Sequence, residues 1–230
     1  MKRADPRHLV LVNGATGPPG RGVPLVLDYL QGRSNRRVHI GLPRFVEDVY
    51  HLNKRILDLL ELASYVFATD RLISRGAKDA VEYHSWGRSI DFWMRVRDYD
   101  FWSQPSVADA LRAAVLFMTG DQDITFHFEP GHSTPPTNLF DMPGFSVDAG
   151  KRSLDVTLFS GGVDSLAGAL ELLTTHKGKV ILVSHRSQVG TKHTQDALVN
   201  ALRQQFPGRV LYYGFECTLR NTRAVEETQR

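Results

Sequence analysis

The last third of the chain predicts an α/β fold with a parallel sheet, and three observations carry that prediction. Short, apolar, β-branched-rich runs recur at residues 154–159, 179–184 and 209–214. Amphipathic stretches at 165–176 and 194–206 separate them, the first with Leu166, Ala169, Leu170 and Leu173 at helical spacing. Between the first run and the first helix lies a turn of two glycines and two hydroxyls, Ser160-Gly161-Gly162-Val163-Asp164-Ser165. Apolar strands alternating with helices form right-handed βαβ units, and the resulting sheet is expected to be covered on both faces.

The residues upstream read as a mixed α/β region. A small strand at 9–12 precedes the glycine-rich stretch Gly14-Ala15-Thr16-Gly17-Pro18-Pro19-Gly20, and a further strand falls near 38–41. The longest element is a helix from about 45 to 75, with Ile56, Leu59, Leu60, Ala63, Val66 and Phe67 on one side and Gly76 as its stop. Ile90, Phe92, Met94 and Val96 alternate with polar neighbours as a half-buried strand. A helix over 107–118, closed by Gly120, leads to a second alternating strand through Ile124, Phe126 and Phe128. Residues 129–152 hold Pro130, Gly131, Pro135, Pro136, Pro143, Gly144 and Gly150 and read as a linker. The predicted division is thus 1–128, 129–152 and 153–230.

Bulk properties bound the possibilities. A chain of 230 residues with 42% hydrophobic and 23% charged residues has an ordinary globular composition. A net charge of +3 permits a nucleic-acid partner without arguing for one. The single cysteine, Cys217, excludes an internal disulfide framework and fits a reducing, cytoplasmic compartment. No run approaches the length of a membrane span. Residues 151–230 supply three strands where open nucleotide-binding sheets have about five. The domain is therefore expected to be incomplete, with an exposed sheet edge that allows oligomers.

Strand, glycine turn and helix N-terminus together make an anion hole, because unpaired N–H groups and the helix dipole both favour negative charge there. The turn is not the common nucleotide loop, which requires Lys-Ser/Thr after its second glycine. Ser160, Gly161, Gly162, Val163, Asp164 and Ser165 instead resemble, over six consecutive residues, the PP-loop of the ATP pyrophosphatases (the adenine nucleotide α-hydrolase-like fold). That resemblance implies that the loop holds the pyrophosphate of ATP while a substrate oxygen attacks the α-phosphate. Asp164 either caps the helix or recruits Mg²⁺. Loops at 184–192 and 213–218 are expected to complete the cavity beyond the strand ends. Lys192 could neutralise charge developing at the α-phosphate and His193 could donate to the same group, the alternative for both being a solvated helix start.

Within that superfamily the stretch Gly190-Thr191-Lys192-His193 resembles the second loop of the 7-cyano-7-deazaguanine synthase family (QueC-like proteins). Threonine replaces that family's glutamine, and lysine replaces its arginine with the charge kept. The first two-thirds resemble the extra N-terminal region of the defence-island, Qat-type variants of the family. That likeness rests on Asp58-Leu-Leu-Glu-Leu-Ala63, Ala68-Thr-Asp-Arg71 with Arg75-Gly76, Arg95-Val-Arg-Asp98 with Trp102, and Phe117-Met-Thr-Gly-Asp121. These resemblances imply ATP-dependent adenylation of a carboxylate like that of 7-carboxy-7-deazaguanine, with Mg²⁺ as cofactor and ammonia as acceptor. An amide or nitrile results, in an anti-phage setting with a protein or nucleic acid as a further acceptor. The family's zinc-binding cysteines would lie beyond Arg230. Another PP-loop amide or thiolation ligase, or an inactive nucleotide- or nucleic-acid-binding fragment, remains an open alternative.

Weaker signals point less far. Gly14 to Gly20 superficially resembles a dinucleotide-binding turn, but two prolines stand where its helix would open, and Arg36 and Arg37 precede the next strand, which ends in no acidic residue. Trp86, Arg88, Phe92, Trp93, Arg95, Arg97, Phe101 and Trp102 mix aromatics with arginines as single-strand binders do, and read more simply as a strand and its flanking core. His127 with His132, and His185 with His193, lack metal-ligand spacing. Cys217 reads equally as a small core residue or a thiol.

Overall fold

Thirteen elements follow one another in the computed structural model, which describes residues 7–20, 22–28, 38–41, 54–75, 87–131, 154–186, 189–219 and 222–225. They are β1 (His8–Val12), β2 (Leu25–Leu27), β3 (Val38–Gly41), α1 (Lys54–Leu72), β4 (Ser89–Val96), α2 (Tyr99–Trp102), α3 (Pro105–Thr119), β5 (Asp123–Pro130), β6 (Leu154–Leu158), α4 (Val163–Thr175), β7 (Lys179–His185), α5 (Val189–Gln205) and β8 (Val210–Leu219). The chain is α/β, with two four-stranded sheets. It forms two compact units that are discontinuous in sequence. The first holds residues 1–39, 50–136 and 219–230, the second 40–49 and 137–218. The contiguous division predicted from composition differs from this, and Glu129 and Pro130 end a strand rather than begin a linker. Gly76, Trp86, Arg36, Arg37, His132, most of 129–152 and the final five residues lie outside the described residues.

The first sheet is parallel throughout, in the order β2-β1-β4-β5. Apolar alternation puts Ile90, Phe92, Met94 and Val96 of β4 out of solvent, and Phe92 stacks on Phe126 of β5 at 5.2 Å between ring centroids. Pro105 opens α3, where its missing N–H costs nothing. Gly120 closes it at φ 67°, a left-handed turn that glycine adopts without strain, and its N–H returns to the Leu116 carbonyl.

Among the described residues of this unit, Asp58 and Arg88 are buried charges with matched partners. Asp58 has no exposed surface, and accepts from the Arg97 and Asp98 amides, the Arg97 guanidinium at 2.8 Å and the Trp102 indole at 3.1 Å. Arg88 is held by Asp121 at 2.8 Å and Asp70 at 2.7 Å. Removing one partner of such a pair strands the other charge, at a cost of about 3–5 kcal/mol. Much of the aromatic–arginine cluster is therefore interior, with Trp102 and Arg88 each 4% exposed and Trp93 stacked on His127, whereas the Arg95 side chain stays 40% exposed.

The second sheet is mixed, in the order β3-β8-β7-β6. It has four strands, not the three expected, because β3 from far upstream joins β8. Its parallel register pairs Asp155 with Val180 and Thr157 with Leu182, and Val180 with Val210. Paired residues of a parallel ladder share a face, so this face meets the helices. Val180, Leu182 and Val210 form one core with Ala169 and Leu173 of α4 and Val199 and Leu202 of α5. The expectation of cover on both faces fails among the described residues. Two successive right-handed crossovers running the same way across a sheet place both helices on one side. The opposite face stays open at β6, where Val156 is 65% and Leu158 79% exposed.

Candidate functional site

The glycine turn begins where β6 ends. Phe159 is buried, its N–H continues the ladder to the Val183 carbonyl at 2.7 Å, and its own carbonyl accepts the Ser184 hydroxyl. Chain direction then reverses through Gly161 at φ 86°, a left-handed conformation that L side chains rarely adopt. A Cβ there would also stand 3.1 Å from Cγ of Gln195.

Gly162 is the N-cap of α4 in an extended conformation, and no side chain caps the helix. The first helical bond is Leu166 N–H to the Gly162 carbonyl at 3.0 Å. The amides of Val163, Asp164 and Ser165 therefore lack an intrahelical acceptor. The remaining turn amides meet only neutral oxygens: Gly161 N–H donates to the Ser165 hydroxyl at 3.2 Å, and Gly162 N–H to the Ser160 hydroxyl at 3.3 Å. The two hydroxyl oxygens are 3.1 Å apart, and Ser165 also donates to the Gly162 carbonyl. Amides of five consecutive residues, two hydroxyls and a helix N-terminus are thus gathered in one turn, and among the described residues no carboxylate accepts from these amides. Asp164 is exposed and makes no hydrogen bond or ion pair among the described residues, so it does not cap α4.

The second predicted loop is shorter than expected. β7 runs through His185 and α5 begins at Val189, so Gly190, Thr191, Lys192 and His193 lie in the opening turns of a helix. Lys192 forms an ion pair with Glu216, whereas His193 is exposed. The third predicted loop is strand: β8 continues to Leu219, and Cys217 is a buried side chain within it. Burial raises the pKa of Tyr213 in the same strand.

Sequence reasoning missed five side chains that organise this part of the sheet. Gln195, 1% exposed, donates to the Ser160 carbonyl at 3.1 Å and the His185 carbonyl at 3.4 Å, and accepts from the Tyr212 hydroxyl at 3.2 Å. Arg186 binds Asp196 at 2.6 Å and lies over the Tyr212 ring. Glu216 holds Lys192. One signal was available: Gln195, Leu198, Val199 and Leu202 share one helical stripe, and a single amide in an apolar stripe marks a buried polar contact.

The first unit holds a second glycine turn, after β1. Here Asn13 adopts φ 53°, and its side chain donates to Glu61 at 2.8 Å and accepts from the Tyr65 hydroxyl. The Thr16 amide, the Thr16 hydroxyl and the Gly17 amide all donate to the Glu129 carboxylate, at 3.0–3.2 Å. Arg95 adds a longer contact at 3.4 Å. Burial alone would raise the Glu129 pKa, but these donors outweigh it and hold the carboxyl below its ordinary value. This turn already has its anion.

Comparison with known proteins finds no matching family model, no matching curated protein and no matching solved structure. Among the described residues no helix is long and apolar enough to cross a membrane, and no group of three or more His, Cys, Asp or Glu could hold a metal ion.

Proposed function

We propose that the β6–β8 unit is an ATP-binding module of the PP-loop type that adenylates a carboxylate and releases pyrophosphate. The observation that carries this reading is the uncapped N-terminus of α4, with the Gly161 and Gly162 amides held only by serine hydroxyls. A pyrophosphate would exchange two neutral hydrogen bonds for charge-assisted ones, which are roughly twice as strong. The missing lysine separates this loop from the common nucleotide loop, and the Ser-Gly-Gly-Val-Asp-Ser wording favours α-phosphate chemistry.

In this reading Ser160, Gly161, Gly162, Val163 and Ser165 bind the β- and γ-phosphates. A carboxylate oxygen of the substrate attacks the α-phosphorus, the bond to the bridging oxygen breaks, and pyrophosphate leaves with that electron pair. Lys192, released from Glu216, offsets the charge that develops. His193, exposed on the same turn, donates to the adenylate. Ammonia then attacks the acyl carbon, and AMP leaves to give an amide. A second activation of the amide would yield a nitrile, as in the 7-cyano-7-deazaguanine synthases that the motif resembles. Asp164 suits Mg²⁺: it is a free, exposed carboxylate beside the loop, and Mg²⁺ binds through one or two carboxylates plus substrate phosphates. The ion would neutralise phosphate charge.

The test is direct titration of Mg²⁺–pyrophosphate and Mg²⁺–ATP into the full chain by calorimetry, with Ser160→Ala and Asp164→Ala beside it. Binding that both substitutions weaken supports the module. Binding by neither ligand, or binding that ignores both substitutions, rejects it.

A further inference from the structure

We propose that Gln195 is a positioning residue for the anion loop, acting through the peptide plane that joins Ser160 to Gly161. The inference rests on the reading of that loop as a pyrophosphate site. The Ser160 carbonyl and the Gly161 N–H belong to one rigid, trans peptide unit and point in opposite directions. Gln195 donates its amide to that carbonyl at 3.1 Å from the interior side. Fixing the oxygen inward turns the Gly161 N–H outward, to where it meets the Ser165 hydroxyl. A flipped peptide would present a carbonyl oxygen to the phosphates and repel them.

Three further contacts make Gln195 suited to this. Its second acceptor is the His185 carbonyl at the end of β7, at 3.4 Å, and its own oxygen takes the Tyr212 hydroxyl of β8 at 3.2 Å. One amide therefore ties the ends of β6 and β7 to Tyr212 near the start of β8. Its Cγ lies 3.1 Å from where a Gly161 Cβ would be, so the same side chain enforces glycine at the left-handed position. At 1% exposure the amide has no water to turn to, and its orientation is set by these partners.

The experiment compares wild type, Gln195→Met and Gln195→Glu as full chains, with Mg²⁺–pyrophosphate as the titrated probe and melting temperature as the control for folding. Gln195→Met keeps the volume and removes the donor, so pyrophosphate affinity should fall at least about tenfold in a chain that still melts cooperatively. Gln195→Glu should be inactive in binding while ionised, because a carboxylate repels the two carbonyls. It should recover relative to wild type as pH is lowered and the carboxyl regains a proton to donate. The charged and titratable groups nearby are His185 on β7, Tyr212 on β8 and the Arg186–Asp196 pair, and wild type run over the same pH range carries all of them without the new carboxyl as the baseline. Unchanged affinity in a folded Gln195→Met chain overturns the proposal. Should that chain not fold, the Gln195→Glu profile decides: a ratio to wild type that is flat with pH overturns it. A wild type that binds neither pyrophosphate nor ATP removes the site itself, and with it the role of Gln195.

Discussion

Two glycine turns sit at the carboxyl ends of strands in this molecule, one after β1 and one after β6, and they have opposite electrostatic fates. Both present backbone N–H groups where a phosphate could approach. After β1, those groups converge on the Glu129 carboxylate, which comes from a strand more than a hundred residues away. After β6, they meet only the hydroxyls of Ser160 and Ser165, and the helix that follows has no side-chain cap. A glycine-rich strand-to-loop junction is therefore not an anion site in itself. What distinguishes the two is whether the fold brings a carboxylate into hydrogen-bond contact with the amides.

The comparison breaks most sharply at Gly161. Gly161→Ala places a side chain at φ 86° and against Gln195, at a cost of about 1–2 kcal/mol in backbone strain. We expect pyrophosphate binding to be lost altogether, whereas Gly17→Ala in the first unit should destabilise the fold and leave that binding intact. A titration in which Gly161→Ala binds normally would show that the β6 turn is as structural as the β1 turn.

Lys192 gives the next largest effect. If it acts as pyrophosphate leaves, Lys192→Ala should lower kcat by about tenfold to a thousandfold with little change in the KM for ATP. A rise in KM at unchanged kcat would place Lys192 in the ground state only.

Emptying the β1 turn should make it resemble the β6 turn. Glu129→Ala leaves the Thr16 and Gly17 donors without a charged acceptor, and stability should fall by about 1–3 kcal/mol. Added acetate should restore part of it by entering the same position, read as a rise in melting temperature that wild type does not show. No difference between the two chains in acetate would mean that the turn tolerates unmatched amides.

The smallest effect is on acid stability. The folded-state pKa of Glu129 is depressed, so its contribution is fully present above its ordinary value of 4.5 and is lost as pH falls through the folded value. Wild type should therefore exceed Glu129→Gln in stability at neutral pH, and the gap should close below about pH 4.5. Denaturant unfolding of both chains across that range measures it, and a gap independent of pH would assign the effect to shape rather than charge.

Much of this was legible in the residues because it is local. Alternation placed β4 and β5, helical spacing placed α3 and α4, and Gly120 marked a helix end, each through a period or a single left-handed residue. Other parts were not. β8 reads as a shorter strand because Gly214 interrupts its apolar run, yet it continues to Leu219 with Arg186 crossing over that glycine. α5 starts at Val189 although Gly190 and Thr191 are poor helix formers, where tertiary contacts such as Lys192 with Glu216 outweigh propensity.

The order of residues from Leu158 to Leu166 was enough to specify a strand, a glycine reversal and a helix start, since each depends on neighbours within a few bonds, whereas the absence of a side-chain cap was decided by the structure. Which donors stay available is a matter of distant partners. Glu129 reaching Thr16, Gln195 reaching Ser160 and β3 joining β8 each close a long loop of chain, and the contacts that reward such closure have no local signature. Which turn amides meet a carboxylate was settled there, because a donor takes the strongest acceptor that the whole fold brings within reach, wherever in the chain it lies.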